Sequence, residues 1–259
     1  MKDVIVTAHS GCEGTARDSL ESVFRAIQCG ADALEVDVRI DQRGVLRISH
    51  DHKATMEEYT QCRTLQEVFA AVAQTNLRVN CDMKEAELTH EVIALAKAYG
   101  LGRDRLWMTG AISPEQLARE PGLRTDVTFF VNIEEIFKFL YLQEMPLSQI
   151  PEFGTLMTVP WTYTKDWMKD IMPERIRQVA ALCRVIGADG VNIPQWNLSD
   201  ELFKTFAEEE IPLSIWTVDE EAAARQILTQ TVSSVQNITT RQVRMVQRVR
   251  DEIRGADPN

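Results

Sequence analysis

The chain has 259 residues, 44% hydrophobic and 26% charged, with 39 acidic against 28 basic side chains and a formal net charge of −11. That balance argues against nucleic-acid binding along a basic stripe and against simple electrostatic docking on anionic lipid. An anionic substrate therefore needs cations supplied locally.

In chain order, short apolar runs predict strands at 4–8, 33–40, 45–49, 78–83, 105–109, 127–131, 155–159, 190–193, 213–218 and 235–239. Helical patterns fill 18–29, 64–74, 87–99, 114–119, 133–143, 173–186, 199–209, 219–228 and about 240–254; Asp18-Ser19 opens the first and Gly30 closes it. Residues 252–259 read as a frayed tail. Run 45–49 is the second arm of a hairpin, and 155–159 is set aside because Pro160 follows it in the irregular stretch 144–172. Eight strands alternating with helices remain, with no linker between them. This predicts one α/β domain spanning 1–259, a closed (β/α)₈ barrel ahead of a doubly wound open sheet. No apolar run is long enough to span a bilayer. Five cysteines without metal-site spacing read as reduced thiols in a cytoplasmic protein.

Within 33–40, Glu35 and Asp37 stand at i and i+2, so strand alternation puts both carboxylates on one face. Such neighbours repel unless protons or a cation lie between them, and a hard divalent ion suits them. The turn Asp41-Gln42-Arg43-Gly44 folds 45–49 back as a β-hairpin extension of the second strand. Pairing with position sums of 85 sets His50 opposite Glu35 and Ile48 opposite Asp37. The plainer alternative is an edge hairpin with solvated charges.

Barrels of this kind gather reactive groups at the C-terminal ends of their strands. His9, Asp82 with Lys84, and Trp216 all stand at such ends. Singly they read as a structural histidine, a salt bridge and a core tryptophan. With Glu35, Asp37 and His50 they would bring three carboxylates, two histidines and a lysine to one rim. Phe129, Phe130, Trp161, Tyr163 and Trp196 read first as packing residues and second as the lining of a substrate mouth.

The order Ala8-His9, Gly30-Ala31-Asp32, Glu35-Val36-Asp37, Gly44-Val45, His50-Asp51, Asp82-Met83-Lys84 and Trp216-Thr217-Val218-Asp219 resembles the glycerophosphodiester phosphodiesterase superfamily. Val235-Gln236-Asn237-Ile238-Thr239-Thr240 is similar to that family's closing strand. The resemblance implies a (β/α)₈ barrel of the PLC-like phosphodiesterase type. It implies that Glu35, Asp37 and Asp82 hold a divalent metal, and that His9 and His50 act as the acid/base pair. Lys84 would stabilise phosphate charge and Trp216 would form an aromatic wall. An oxygen-only ligand set favours Mg²⁺ or Ca²⁺. The expected activity is cleavage of a small-molecule glycerophosphodiester to glycerol 3-phosphate and an alcohol.

The chain departs from the family at Ser10, where Arg is usual, and at Ala16-Arg17-Asp18-Ser19, where Pro-Glu-Asn-Thr is usual. Arg17 is the candidate to supply the missing cation to the substrate. The link from Asp51 to the helix near Thr64 is short, about a dozen residues, which predicts an open pocket. Asp82 in place of Glu is similar to the related sphingomyelinase D group, whose products can be cyclic phosphates. A sphingomyelinase D-like lyase and a non-catalytic phosphate-ester binding barrel are the alternatives.

Overall fold

The computed structural model describes residues 4–144, 173–230 and 234–256. Eight parallel strands close into a ring: β1 (Ile5–Ala8), β2 (Ala33–Ile40), β4 (Arg78–Met83), β5 (Leu106–Gly110), β6 (Thr128–Asn132), β7 (Gly190–Pro194), β8 (Leu213–Trp216) and β9 (Val235–Thr240). Closure comes from β1, which pairs with β2 on one side and β9 on the other. The short β3 (Leu46–Ile48) lies outside the ring, antiparallel to β2. These eight ring strands are the eight expected from the sequence. Run 155–159, Trp161 and Tyr163 lie outside the described residues.

Around the ring run α1 (Leu20–Gln28), α2 (Met56–Gln61), α3 (Leu65–Val72), α4 (Thr89–Ala98), α5 (Pro114–Arg119), α6 (Ile133–Glu144), α7 (Pro173–Ile186), α8 (Asp200–Glu208), α9 (Glu221–Leu228) and α10 (Val243–Ala256). Ser19 caps α1, accepting from the Ser22 N–H. The short α2 has no counterpart in the sequence reading. Its signal is a capping box: the Thr55 hydroxyl accepts from the Glu58 N–H, and the Glu58 carboxylate accepts from the Thr55 N–H. Nor is the tail frayed at 252. Glu252 lies within α10, its carboxylate held by Arg225 and Arg248. Four charges at helix spacing, two from α9 and two from α10, hold the helix through this point.

Alternation along the strands separates two interiors. Outward residues such as Leu34, Val36 and Val38 of β2, Val79 and Cys81 of β4, and Phe129 and Val131 of β6 belong to one apolar core beneath the helices. Phe129 and Phe130 are both fully buried, so they pack rather than line a mouth. Inward residues are largely polar and satisfy one another. The Thr7 hydroxyl donates to Asn237 Oδ1 at 2.6 Å, and Asn237 Nδ2 donates to Ser214 Oγ at 2.9 Å. Trp107 and Phe130 fill the lumen with ring centroids 5.3 Å apart. A Cβ at Gly190 would stand 2.6 Å from Phe130, so only glycine lets β7 pass that ring.

The hairpin register differs from the sum of 85. Val38 faces Ile48, Arg39 faces Arg47 and Ile40 faces Leu46, a sum of 86. The loop is the cause. A sum of 85 would pair Asp41 with Gly44, whereas the Asp41 N–H donates to the Val45 carbonyl, leaving Gln42, Arg43 and Gly44 in the loop. Gly44 takes φ +79°, the left-handed position that three-residue hairpin loops favour. Asp41 Oδ1 fixes it by accepting from the Arg43 and Val45 N–H groups. His50 is therefore not opposite Glu35, and it lies beyond the end of β3.

Candidate metal and phosphate site

The cleft opens at the C-terminal ends of the strands and encloses about 590 Å³. His9, Arg17, Glu35, Asp37, His50, Asp82, Lys84 and Trp216 all line it. β2 and β4 pair so that Asp37 faces Asp82, with Glu35 one inward step below. One carboxylate oxygen from each of Glu35, Asp37 and Asp82 lies within 4.8 Å of the others, the group among the described residues that could share one metal ion. Lys84 Nζ reaches into them, 2.7 Å from Asp37 Oδ1 and 2.5 Å from Asp82 Oδ2.

Burial and mutual repulsion govern this cluster. Glu35 is pushed well above the usual carboxylate range, first by burial and then by Asp37 and Asp82. Asp37 is raised by burial, with Lys84 opposing the rise. Burial pulls the Lys84 ammonium down, but Asp82 and Asp37 outweigh it and the net shift is upward. Lys84 is thus a fixed cation. Three carboxylates and one ammonium leave two negative charges in excess, which a divalent ion would offset. The donor set is all oxygen and fits a hard ion such as Mg²⁺ or Ca²⁺.

Gly110 makes this packing possible. It sits at φ +83°, and a Cβ there would come 2.4 Å from Asp82 Oδ1 and 2.3 Å from the Met83 carbonyl. Thr109 supports the same carboxylate, its hydroxyl donating to Asp82 Oδ1 at 3.1 Å. Gly110→Ala is expected to destabilise the fold by about 1–3 kcal/mol through backbone strain and overpacking, and to displace Asp82. A urea denaturation midpoint together with divalent-ion affinity checks both effects.

The two histidines reach the cleft differently. His9 continues β1, and its N–H donates to the Thr240 carbonyl at 2.8 Å. Its Nδ1 lies 3.0 Å from the Ser10 carbonyl and 3.8 Å from Glu35 Oε2. A carbonyl can only accept, so Nδ1 carries the proton and Nε2 keeps its lone pair. Burial lowers the imidazole to about 4, with nearby Arg241 adding to the fall, so His9 is neutral at pH 7. His50 is half-exposed, and its Nδ1 is 2.8 Å from Asp51 Oδ1. Its backbone is clamped: the N–H donates to Asp18 Oδ2 at 3.0 Å, and the carbonyl accepts from Arg39. That clamp brings His50 to the cleft without the expected strand register.

Ser10, which departs from the family pattern, ties this clamp to the carboxylates. Its N–H donates to Glu35 Oε2 at 3.2 Å, while its hydroxyl donates to Asp18 Oδ1 at 3.2 Å. Arg17 is exposed at the cleft edge with no ion-pair partner among the described residues. Sequence reasoning missed Arg241. It lines the cleft just past β9, and its guanidinium is held by Asp219 Oδ2 at 2.9 Å. It also missed Asn132, Glu134 and Asn192 at the ends of β6 and β7. For Asn132 and Asn192 the available signal was a polar residue on the inward face of an otherwise apolar strand.

No family model and no curated protein matches the sequence. Among solved structures, a glycerophosphodiester phosphodiesterase from Thermotoga maritima aligns with 96% of this chain and 100% of its own, at TM-score 0.64 and 19% identity. One from Parabacteroides distasonis aligns with 97% of this chain and 98% of its own, at TM-score 0.68 and 15% identity. A phosphodiesterase from Oleispira antarctica, solved with the product sn-glycerol-3-phosphate, aligns with 95% and 96% at TM-score 0.62 and 19% identity. The chain therefore has the barrel fold of these phosphodiesterases. No helix among the described residues is long and apolar enough to cross a membrane.

Proposed function

We propose that this chain is a divergent member of the glycerophosphodiester phosphodiesterase superfamily, one domain over 1–259 that cleaves small glycerophosphodiesters to glycerol 3-phosphate and an alcohol in a metal-dependent reaction. The observation that carries this reading is the meeting of Glu35, Asp37 and Asp82 within 4.8 Å, in a cleft that His9 and His50 also line. The five cysteines are free thiols, which supports a cytoplasmic setting.

Glu35, Asp37 and Asp82 would hold Mg²⁺ or Ca²⁺. Bound there, the ion supplies Lewis acidity toward a phosphoryl oxygen. The chain's own groups do the rest. His9, neutral with Nε2 open, takes a proton from the attacking water as its oxygen bonds to phosphorus. His50, oriented by Asp51, donates a proton to the departing alkoxide as the second phosphorus–oxygen bond breaks. Lys84 stabilises charge on the equatorial oxygens. Arg17 and Arg241 are the further cations at the cleft that can grip the phosphate, filling the role that Ser10 cannot. Trp216 gives the cleft an aromatic wall.

Glycerophosphodiester turnover in ¹⁸O-labelled water, with and without EDTA, tests this reading. Expected are loss of activity in EDTA, recovery with Mg²⁺ or Ca²⁺, and label in the glycerol phosphate. An unlabelled cyclic phosphate would show attack by the substrate's own hydroxyl, the lyase outcome. No turnover with any ion would leave a binding barrel.

A further inference from the structure

His50 stands past the last residue of β3, where the ladder no longer holds it. The Ser49 N–H still reaches back to the Asp37 carbonyl at 2.9 Å. The next N–H, that of His50, crosses instead to Asp18 Oδ2 in the β1–α1 loop, 32 residues earlier. Asp18 sits at φ +52°, a left-handed conformation that Asp and Asn visit but that persists only where the surroundings impose it. Ser10 imposes it here. The Asp18 N–H donates to Ser10 Oγ at 2.8 Å, and the Ser10 hydroxyl donates back to Asp18 Oδ1 at 3.2 Å. The Ser10 N–H in turn donates to Glu35 Oε2 at 3.2 Å. Asp18 makes no ion pair among the described residues; its two oxygens serve neutral donors, one from its own loop and one from the hairpin end. One hydrogen-bonded path thus runs from Glu35 to the backbone of His50.

From this geometry we infer that Asp18 is a positioning residue for proton donation by His50: it fixes the His50 backbone so that the imidazole meets the departing oxygen. The inference rests on the phosphodiesterase reading and adds a residue to it. As the phosphorus–oxygen bond to the alcohol breaks, its electron pair goes to that oxygen, which takes the proton from the His50 ring. Asp51 sets the rotation of the ring, with Oδ1 2.8 Å from Nδ1, but it follows His50 in the chain and moves with it. The place of the ring is set from other segments. Arg39 of β2 holds the His50 carbonyl, and Asp18 holds the N–H. The His50 side chain is 52% exposed, so packing does not replace either bond. A reacting group displaced by about 1 Å can lose about 10²-fold in rate.

The test compares kcat for glycerophosphoglycerol and for the p-nitrophenyl ester of glycerol 3-phosphate in wild type, Asp18→Gly and Asp18→Asn. The glycerol alkoxide needs a proton to depart, whereas p-nitrophenolate leaves without one. Glycine removes the carboxylate and takes φ +52° without strain. D18G is expected to lose about 10²-fold on the glycerol ester and less than about threefold on the nitrophenyl ester. Asparagine accepts the same N–H and tolerates the same φ, so D18N is expected to keep most of the wild-type rate on both. Equal losses on the two esters, no loss on either, or a D18N as slow as D18G would overturn the inference while leaving the phosphodiesterase reading intact. Should D18G fail to fold, Ser10→Ala, which keeps the N–H to Glu35 and removes only the hydroxyl that holds Asp18, is read by the same ester comparison. A wild type that cleaves neither ester with Mg²⁺ or Ca²⁺ would overturn that reading and the inference together.

Discussion

Glu35→Gln is expected to lower kcat/KM by about 10²–10⁴-fold, the several kcal/mol that a Lewis acid contributes, and to abolish tight binding of Mg²⁺ or Ca²⁺. The same substitution should stabilise the metal-free fold by about 0.5–2 kcal/mol. The two signs follow from one fact. Glu35 is 6% exposed and shares its space with Asp37 and Asp82, so its charge is unfavourable until a cation arrives. pH separates the states further. In the metal-free protein Glu35 and Asp37 hold protons more strongly than in the unfolded chain. Stability therefore falls as pH rises from the ordinary carboxylate range toward their raised values. Bound metal requires the ionised forms and should remove that fall. Thermal melts at several pH values, with and without Ca²⁺, check both statements.

His9→Gln is the second large effect, an expected loss of about 10²–10⁴-fold in kcat. It also carries a stability signature. The imidazole is lowered from 6.5 to about 4, so below pH 6.5 the unfolded chain binds the proton more readily. Wild type should lose about 3 kcal/mol from this group between pH 7 and pH 4, and the glutamine variant should lose correspondingly less. Paired denaturation curves at the two pH values measure the difference. An equal pH slope in the two proteins would mean that His9 is not held neutral by burial.

The barrel was legible because each ring strand carries its own apolar outward face, which a one-residue window of alternation exposes. Glu35, Asp37 and Asp82 stood out for the same reason, as charges on the inward face of strands too apolar to carry them idly. The hairpin register was not legible. It depends on whether Asp41 pairs with Gly44 or Val45, a choice set by carboxylate bonds to the Arg43 and Val45 N–H groups. His50 reached the cleft by another route, through Asp18, which sits at φ +52° and takes the His50 N–H. Glu134 and Arg241 were missed because each lies one or two residues past a strand end, where alternation no longer tells which way a side chain points. The helix α2 was missed for its length: six residues show no apolar period, only a cap.

Phosphodiester cleavage here requires one ion held by three carboxylates from β2 and β4. A crystal structure of the protein with Ca²⁺ and glycerol 3-phosphate tests it most directly. The ion is expected on Glu35, Asp37 and Asp82 at about 2.3–2.6 Å, with a phosphate oxygen among its ligands and His9 and His50 on either side of the phosphorus. An ion bound elsewhere, or a cluster still closed on Lys84 with glycerol phosphate outside the cleft, would contradict it.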